Sequence, residues 1–239
     1  MKTLDRLSKK EIFSRQDYYD AYMKQFGEQN PFAIDYVLRK AIGDGSIVHI
    51  GRDQYTTRKT KHSYRCKYSD AAVRTASQIK EEYPFADFRI FELVQLNVFV
   101  NHLFAHNTIF VSVENDLMDY VFDSLRNEYP GKIMFKPQYE YYNRYLVDDQ
   151  IVIIRLPSET PKGLDEPWHS RLEKILVDIT VDKLMSRIIS PSEYYSIFTE
   201  AFDRYLIDEN AMIRYANRKG AGQKFRRYLM EYTRKLVEE

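Results

Sequence analysis

Apolar and polar positions alternate with two periods along this chain, and the switches between them mark its elements. Between Gln16 and Phe26 the spacing predicts a first helix, followed by the polar turn Gly27-Glu28-Gln29. A second helix opens at Asn30-Pro31. Asparagine offers a side-chain oxygen to an orphan backbone N–H, and proline at the first helical position loses nothing by lacking its own. Ile34, Val37, Leu38, Ala41 and Ile42 then fall at i, i+3, i+4, i+7 and i+8, one apolar stripe of period 3.6. Gly43-Asp44-Gly45 ends it. The period drops to two over Ile47–Gly51, Arg52-Asp53 makes a turn, and Gln54–Thr57 returns as a second strand. Two helices and a hairpin predict a winged helix-turn-helix over residues 1–60, a module whose second helix enters the DNA major groove.

After a polar stretch the two periods alternate again. Ser69 caps a helix that runs to about Glu82, where Pro84 follows. Phe88–Phe91 reads as a strand, Val94–Phe104 as a mostly apolar helix, and Thr108–Val113 as a buried strand. Asn115–Glu128 reads as an amphipathic helix with Leu117, Tyr120, Val121, Ser124 and Leu125 on one face. Lys132–Lys136 is a short strand, Tyr139–Leu146 a helical turn, and Ile151–Leu156 a further buried strand. Such alternation predicts an α/β layer with a mixed or parallel sheet. Beyond a Pro- and Gly-punctuated loop at 157–167, everything reads as helix: about 168–188, 191–206, 208–218 and 222–237. The predicted class is α+β, with a winged helix at 1–60, a basic linker at 61–68, and a mixed α/β domain with a C-terminal helical subdomain at 69–239.

Charge changes this picture more than composition does. The 239 residues are 44% hydrophobic and 15% aromatic, ample for packed cores, and the net charge is only +1. That near-neutrality hides a division. Residues 1–68 hold 14 Lys and Arg against 8 Asp and Glu, whereas residues 69–209 hold 14 against 24. A basic module joined to an acidic body suits attraction to phosphate. With the apolar stripe turned inward, Ala33, Tyr36, Arg39 and Lys40 point outward. Arg39 is placed for a bidentate contact to guanine or for a phosphate, and Tyr36 and Lys40 for the backbone. Arg52 at the wing tip is set to reach the minor groove or a phosphate, and Gln54 and Arg58 complete the candidate DNA-binding set. A protein-binding winged helix with a solvated Arg39 and Lys40 is the competing reading.

The connector Arg58–Tyr68 has no apolar period and reads as a solvated linker with some contact to phosphate. Residues 210–235 hold eight Lys and Arg and one Glu. This second basic stretch is open to nucleic acid, to docking on the acidic body or an acidic partner, and to plain solvation. The single Cys66 excludes an internal disulfide, suits a reducing cytoplasm, and falls in the exposed connector. The start Met1-Lys2-Thr3-Leu4-Asp5 lacks a signal-peptide core, and no stretch is long and apolar enough to span a membrane.

Three segments carry a resemblance. GDGSIVHIGRDQY (residues 43–55) is similar to the Gly-x-Ile/Leu-x-x-Ile/Leu-Gly-Arg-Gly-x-Tyr wing of the AbiEi-type abortive-infection antitoxin family, with Asp53 where glycine is usual. FVSVEND before an amphipathic helix is the second, and RLEKILVDITVDKL with the later MIRYANRKG is the third. The resemblance implies a bacterial autorepressor. Its N-terminal domain would bind double-stranded DNA of its own promoter region; separately, because paired modules commonly read repeated sites, a homodimer is expected, though no segment announces an interface. Its C-terminal domain would counter a cognate nucleotidyltransferase toxin. It also implies no enzyme activity, while the residues themselves suggest no cofactor and no membrane partner.

Chemistry-bearing motifs add little. There is no GxxxxGK[ST] loop, no GxGxxG after a strand, and no paired Asp of a nucleotidyltransferase. Glu114 and Asp116 end a buried strand, where they serve either a metal or the next helix's N-terminus. They carry the alternative reading, a nuclease-like or nucleotide-processing enzyme domain. His102 and His106 are four apart but lack a third ligand, so no metal or catalytic residue is assigned. Asp178 and Asp182 read as a solvated acidic face, with Lys174 to Asp178 as an i,i+4 pair. That acidic face is also a possible nucleic-acid mimic.

Overall fold

The computed structural model describes residues 7, 13–43, 46–51, 54–56, 61, 63–100 and 103–238. The chain forms two units, 1–62 and 63–239.

In the first unit, helix α1 (Arg15–Phe26) starts with a capping box. Ser14 Oγ accepts from the Asp17 amide and the Asp17 carboxylate accepts from the Ser14 amide, so two orphan donors are satisfied reciprocally. Gly27, at φ 77°, ends it. Helix α2 (Pro31–Gly43) begins where sequence places it: Asn30 Oδ1 accepts from the Phe32 amide at 3.0 Å. Strands β1 (Val48–Gly51) and β2 (Gln54–Thr56) pair antiparallel. Phe13 adds a bridge to Tyr55, each amide donating to the other's carbonyl at 2.9 Å. Ile34 and Leu38 bury the inner face of α2 against Leu7, Phe13, Tyr18 and Ile47.

The second unit is an α+β layer structure around one mixed sheet. Its helix α3 (Asp70–Glu82) is capped by Ser69 Oγ, which accepts from the Ala72 amide at 3.1 Å. Strands β3 (Phe88–Glu92), β4 (Thr108–Val113), β5 (Ile133–Phe135) and β6 (Gln150–Arg155) lie in the order β3-β4-β6-β5. β3 runs antiparallel to β4, while β4, β6 and β5 are parallel. Every residue of β4 is buried, as expected of a strand covered on both faces. The pleat divides them by parity. Ile109, Val111 and Val113 join the core under α3 and helix α4 (Met118–Glu128), and Phe110 joins the opposite core. That opposite core is made by a short helix α5 (Tyr139–Tyr145) and by α6 (Leu172–Val181), α7 (Met185–Ile188), α8 (Pro191–Arg204), α9 (Glu209–Arg218) and α10 (Gly222–Glu238).

Four sequence expectations are corrected here. The helix expected over Val94–Phe104 is instead a 3₁₀ turn at Leu93–Val98. Leu93, Leu96 and Phe99 recur every third residue and are all buried, which suits three residues per turn. On α4 the buried face is Met118, Val121 and Leu125, and Tyr120 is exposed. The expected single helix 168–188 starts only at Leu172, because Ile90 and the Trp168–Ser170 segment exchange backbone hydrogen bonds alongside β3. The stretch read as a solvated linker alternates between half-buried Tyr64, Cys66 and Tyr68 and exposed Arg65 and Lys67. Tyr64 packs on Phe99 and Tyr205, and Tyr68 on Trp168 and His169, so this segment belongs to the second unit's core.

Candidate functional site

The outer face of α2 is the first candidate. Because Ile34 and Leu38 point inward, the opposite side of the helix is fixed, and Ala33, Tyr36, Arg39 and Lys40 are all exposed. The structure thus gathers Tyr36, Arg39 and Lys40 on one face. Arg52, Asp53 and Arg58 lie outside the described residues. For Gln54 the backbone in β2 is described and its side chain is not.

The one carboxylate on α2, Asp35, is already engaged. It accepts from Tyr19 and from Arg15, whose Nε lies 2.9 Å from Asp35 Oδ1. These two hydrogen bonds, Tyr19's first, hold the Asp35 carboxyl below its ordinary value. The charge of Arg39, one turn on, adds a smaller stabilisation of the same carboxylate, so Asp35 is bound chiefly by α1 and only weakly offsets Arg39. The guanidinium of Arg39 forms no ion pair among the described residues. Sequence reasoning missed a further member of this face. Phe32 is 82% exposed and Tyr36 70%. The signal was available, since Phe32, Tyr36, Arg39 and Lys40 stand at i, i+4, i+7 and i+8.

A second polar cluster lies inside the second unit, between β4 and α6. Lys174 and Asp178, with side chains 1% and 2% exposed, pair at 2.7 Å, and Lys174 Nζ also donates to Ser112 Oγ at 3.1 Å. Asp178 accepts in addition from Tyr215 Oη at 3.0 Å and from Lys219 Nζ at 2.7 Å. Lys219 reaches Asp182 as well, at 3.1 Å. Burial alone would raise the Asp178 carboxyl, but the two ammonium groups outweigh it and hold it below its ordinary value. For Lys219 burial works against the charge and the two carboxylates overcome it, holding its pKa up. The expected pair is therefore real, but the solvated acidic face is not. Asp178 is buried, which also removes it from any surface mimic of nucleic acid.

This cluster further answers part of the question posed by the basic stretch 210–235. Lys219 docks into the acidic body, Arg218 pairs with Glu159, and Arg214 meets Asp208. Lys224, Arg226 and Arg227 on α10 remain exposed.

The remaining candidates carry structural duties. Glu114 Oε1 accepts from the Asp87 amide at 3.0 Å and its own amide donates to the Asp87 carbonyl, bracing the end of β3. Asp116 is exposed in a 3₁₀ turn. His106 is exposed and His102 lies outside the described residues. Among the described residues no group of three His, Cys, Asp or Glu is placed to hold a metal ion. Cys66 is half-buried rather than exposed, and burial pushes its thiol up, away from the reactive thiolate. No helix among the described residues is long and apolar enough to cross a membrane.

Over residues 33–235 the chain matches a family described as a family of unknown function (DUF6577), and it belongs to that family. No curated protein matches it.

Proposed function

We propose that this member of the DUF6577 family is a cytoplasmic, non-enzymatic DNA-binding autorepressor, its first unit a winged helix-turn-helix that reads its own promoter region. The observation that carries this reading is the outer face of α2. It presents Tyr36, Arg39 and Lys40 to solvent, with the helix's acid, Asp35, taken up by α1 and a hairpin following the helix. A helix held by its inner stripe and free on a basic outer face has the shape and charge that a major groove accepts. A homodimer is the matching assembly, since paired modules read repeated half-sites. The resemblance to AbiEi-type antitoxins supports the second half of the proposal: the chain counters a cognate nucleotidyltransferase toxin.

Fluorescence anisotropy on DNA from upstream of the gene, against a scrambled duplex and over a range of salt, tests the first half. Arg39→Ala should weaken upstream-specific binding on the order of tenfold, the loss expected of one bidentate base contact. Lys40→Ala should weaken both duplexes alike and lower the salt slope by about one. Equal, weak binding to both duplexes, unchanged by either substitution, would sink the reading. For the second half, co-expression should restore growth arrested by a nucleotidyltransferase encoded beside the gene. Arrest that persists at full expression of the chain removes the antitoxin role.

A further inference from the structure

We propose that Phe32 is a specificity-determining residue that reads thymine through its C5 methyl group, an inference that rests on the DNA-binding reading of α2. Three observations lead to it. First, Phe32 is 82% exposed although it sits on a helix whose opposite face buries Ile34 and Leu38, so the fold does not use it as core. Second, it occupies the first turn of α2. The N-terminal residues of a groove-entering helix are the ones that meet base edges. Its backbone is pinned there by Pro31 at the first helical position and by the Asn30 side chain, which accepts from the Phe32 amide at 3.0 Å. Third, it continues the exposed stripe of Tyr36, Arg39 and Lys40, and the two cations on that stripe favour a polyanion as the occupant of this face.

Given that occupant, the chemistry narrows. A phenyl ring has no donor for a phosphate or for a base acceptor. The apolar group that the major groove offers is the thymine methyl, and phenylalanine is among the side chains that contact it. The stripe then divides its work: Phe32 senses methyl groups near the helix start, and Arg39 and Lys40, about two turns on, serve guanine and phosphate.

The experiment uses the full chain and a duplex enriched by it from a random-sequence pool. Each thymine of that duplex is replaced singly by uracil, which removes the methyl and keeps the base-pairing edge. At one or two positions wild type should bind the uracil duplex about fourfold more weakly, the value of one buried methyl-sized group. Phe32→Ala should lose a similar factor on the thymine duplex and then be indifferent to uracil at those positions. Wild-type binding that tolerates uracil everywhere overturns the role of Phe32 and leaves DNA binding standing. Failure to enrich any duplex overturns the DNA reading itself. If Phe32→Ala keeps full affinity but changes the sedimentation of the chain, the residue serves a protein contact and the inference is wrong.

Discussion

Asp178→Ala should destabilise the 63–239 unit by about 3–5 kcal/mol, the cost of removing one partner from a buried ion pair. The carboxylate is shared by Lys174, Lys219 and Tyr215. Without it Lys174 keeps, among the described residues, only Ser112 Oγ as an acceptor while remaining inside the protein. Lys219 is less exposed to the loss, since Asp182 still accepts from it at 3.1 Å. The double substitution Lys174→Met, Asp178→Leu should recover part of the deficit, because it removes the unpaired Lys174 charge but still leaves Tyr215 and Lys219 without the Asp178 acceptor. Trp168, the only tryptophan, belongs to this unit and reports its unfolding in urea. A loss below about 1 kcal/mol for Asp178→Ala would show the pair to be as weak as a surface bridge.

The same network sets an acid limit. A carboxyl held below its ordinary value of 3.8 contributes stability that is complete above that value and is lost as pH falls through the folded one. Asp178→Asn abolishes this titration. Its stability should therefore fall less steeply than that of wild type below about pH 4.

How far such features can be read in a sequence depends on how many faces of an element are buried. α2 was legible because one stripe is apolar and the other is not, so period 3.6 fixes both its core and its exposed side. For β4 the continuous apolar run TIFVSV was legible as a buried strand, but with both faces covered it did not show which residues join which core. The pair in α6 was legible as a pair and misread in its setting. Leu172 to Thr180 are all buried, so no periodic contrast separates a solvated lysine from an enclosed one. A lone Lys and Asp set four apart within ILVDIT-type sequence is the available hint. Over Leu93–Phe99 the run is too short to distinguish a period of three from one of 3.6. The segment 64–68 hid its tyrosines among cations, although alternation of Tyr64, Cys66 and Tyr68 is itself a strand-like signal. Phe32 escaped attention because an aromatic residue at a helix start is usually spent on packing, although its spacing to Tyr36, Arg39 and Lys40 already set it on the exposed side.

Phe198→Ala should destabilise the helical layer by about 3–5 kcal/mol, the cost of a large ring removed from a core that collapses only in part. Phe198 is fully buried on α8, and its ring lies 4.9 Å from that of Tyr228, 5.6 Å from Tyr232 and 6.2 Å from Phe202. Tyr228 and Tyr232 are on α10, so this ring sits at the centre of an aromatic cluster, with Tyr194, Tyr195 and Phe202 beside it, that ties the C-terminal helix to the layer. Phe225, also fully buried, is the other anchor of α10, near its start. Losing Phe198 should therefore loosen α10 from about Arg226 onward before the sheet unfolds. Trypsin provides a local readout, because Arg226 and Arg227 are exposed on that helix. Cleavage there should accelerate in Phe198→Ala under conditions where Trp168 fluorescence is still native, since proteolysis follows the population of the locally opened form. Phe85→Ala is the matched control: that ring is almost wholly exposed, and its removal should change neither readout. If Phe198→Ala leaves the urea midpoint and the rate of cleavage near those of wild type, α10 is held by contacts other than this aromatic cluster.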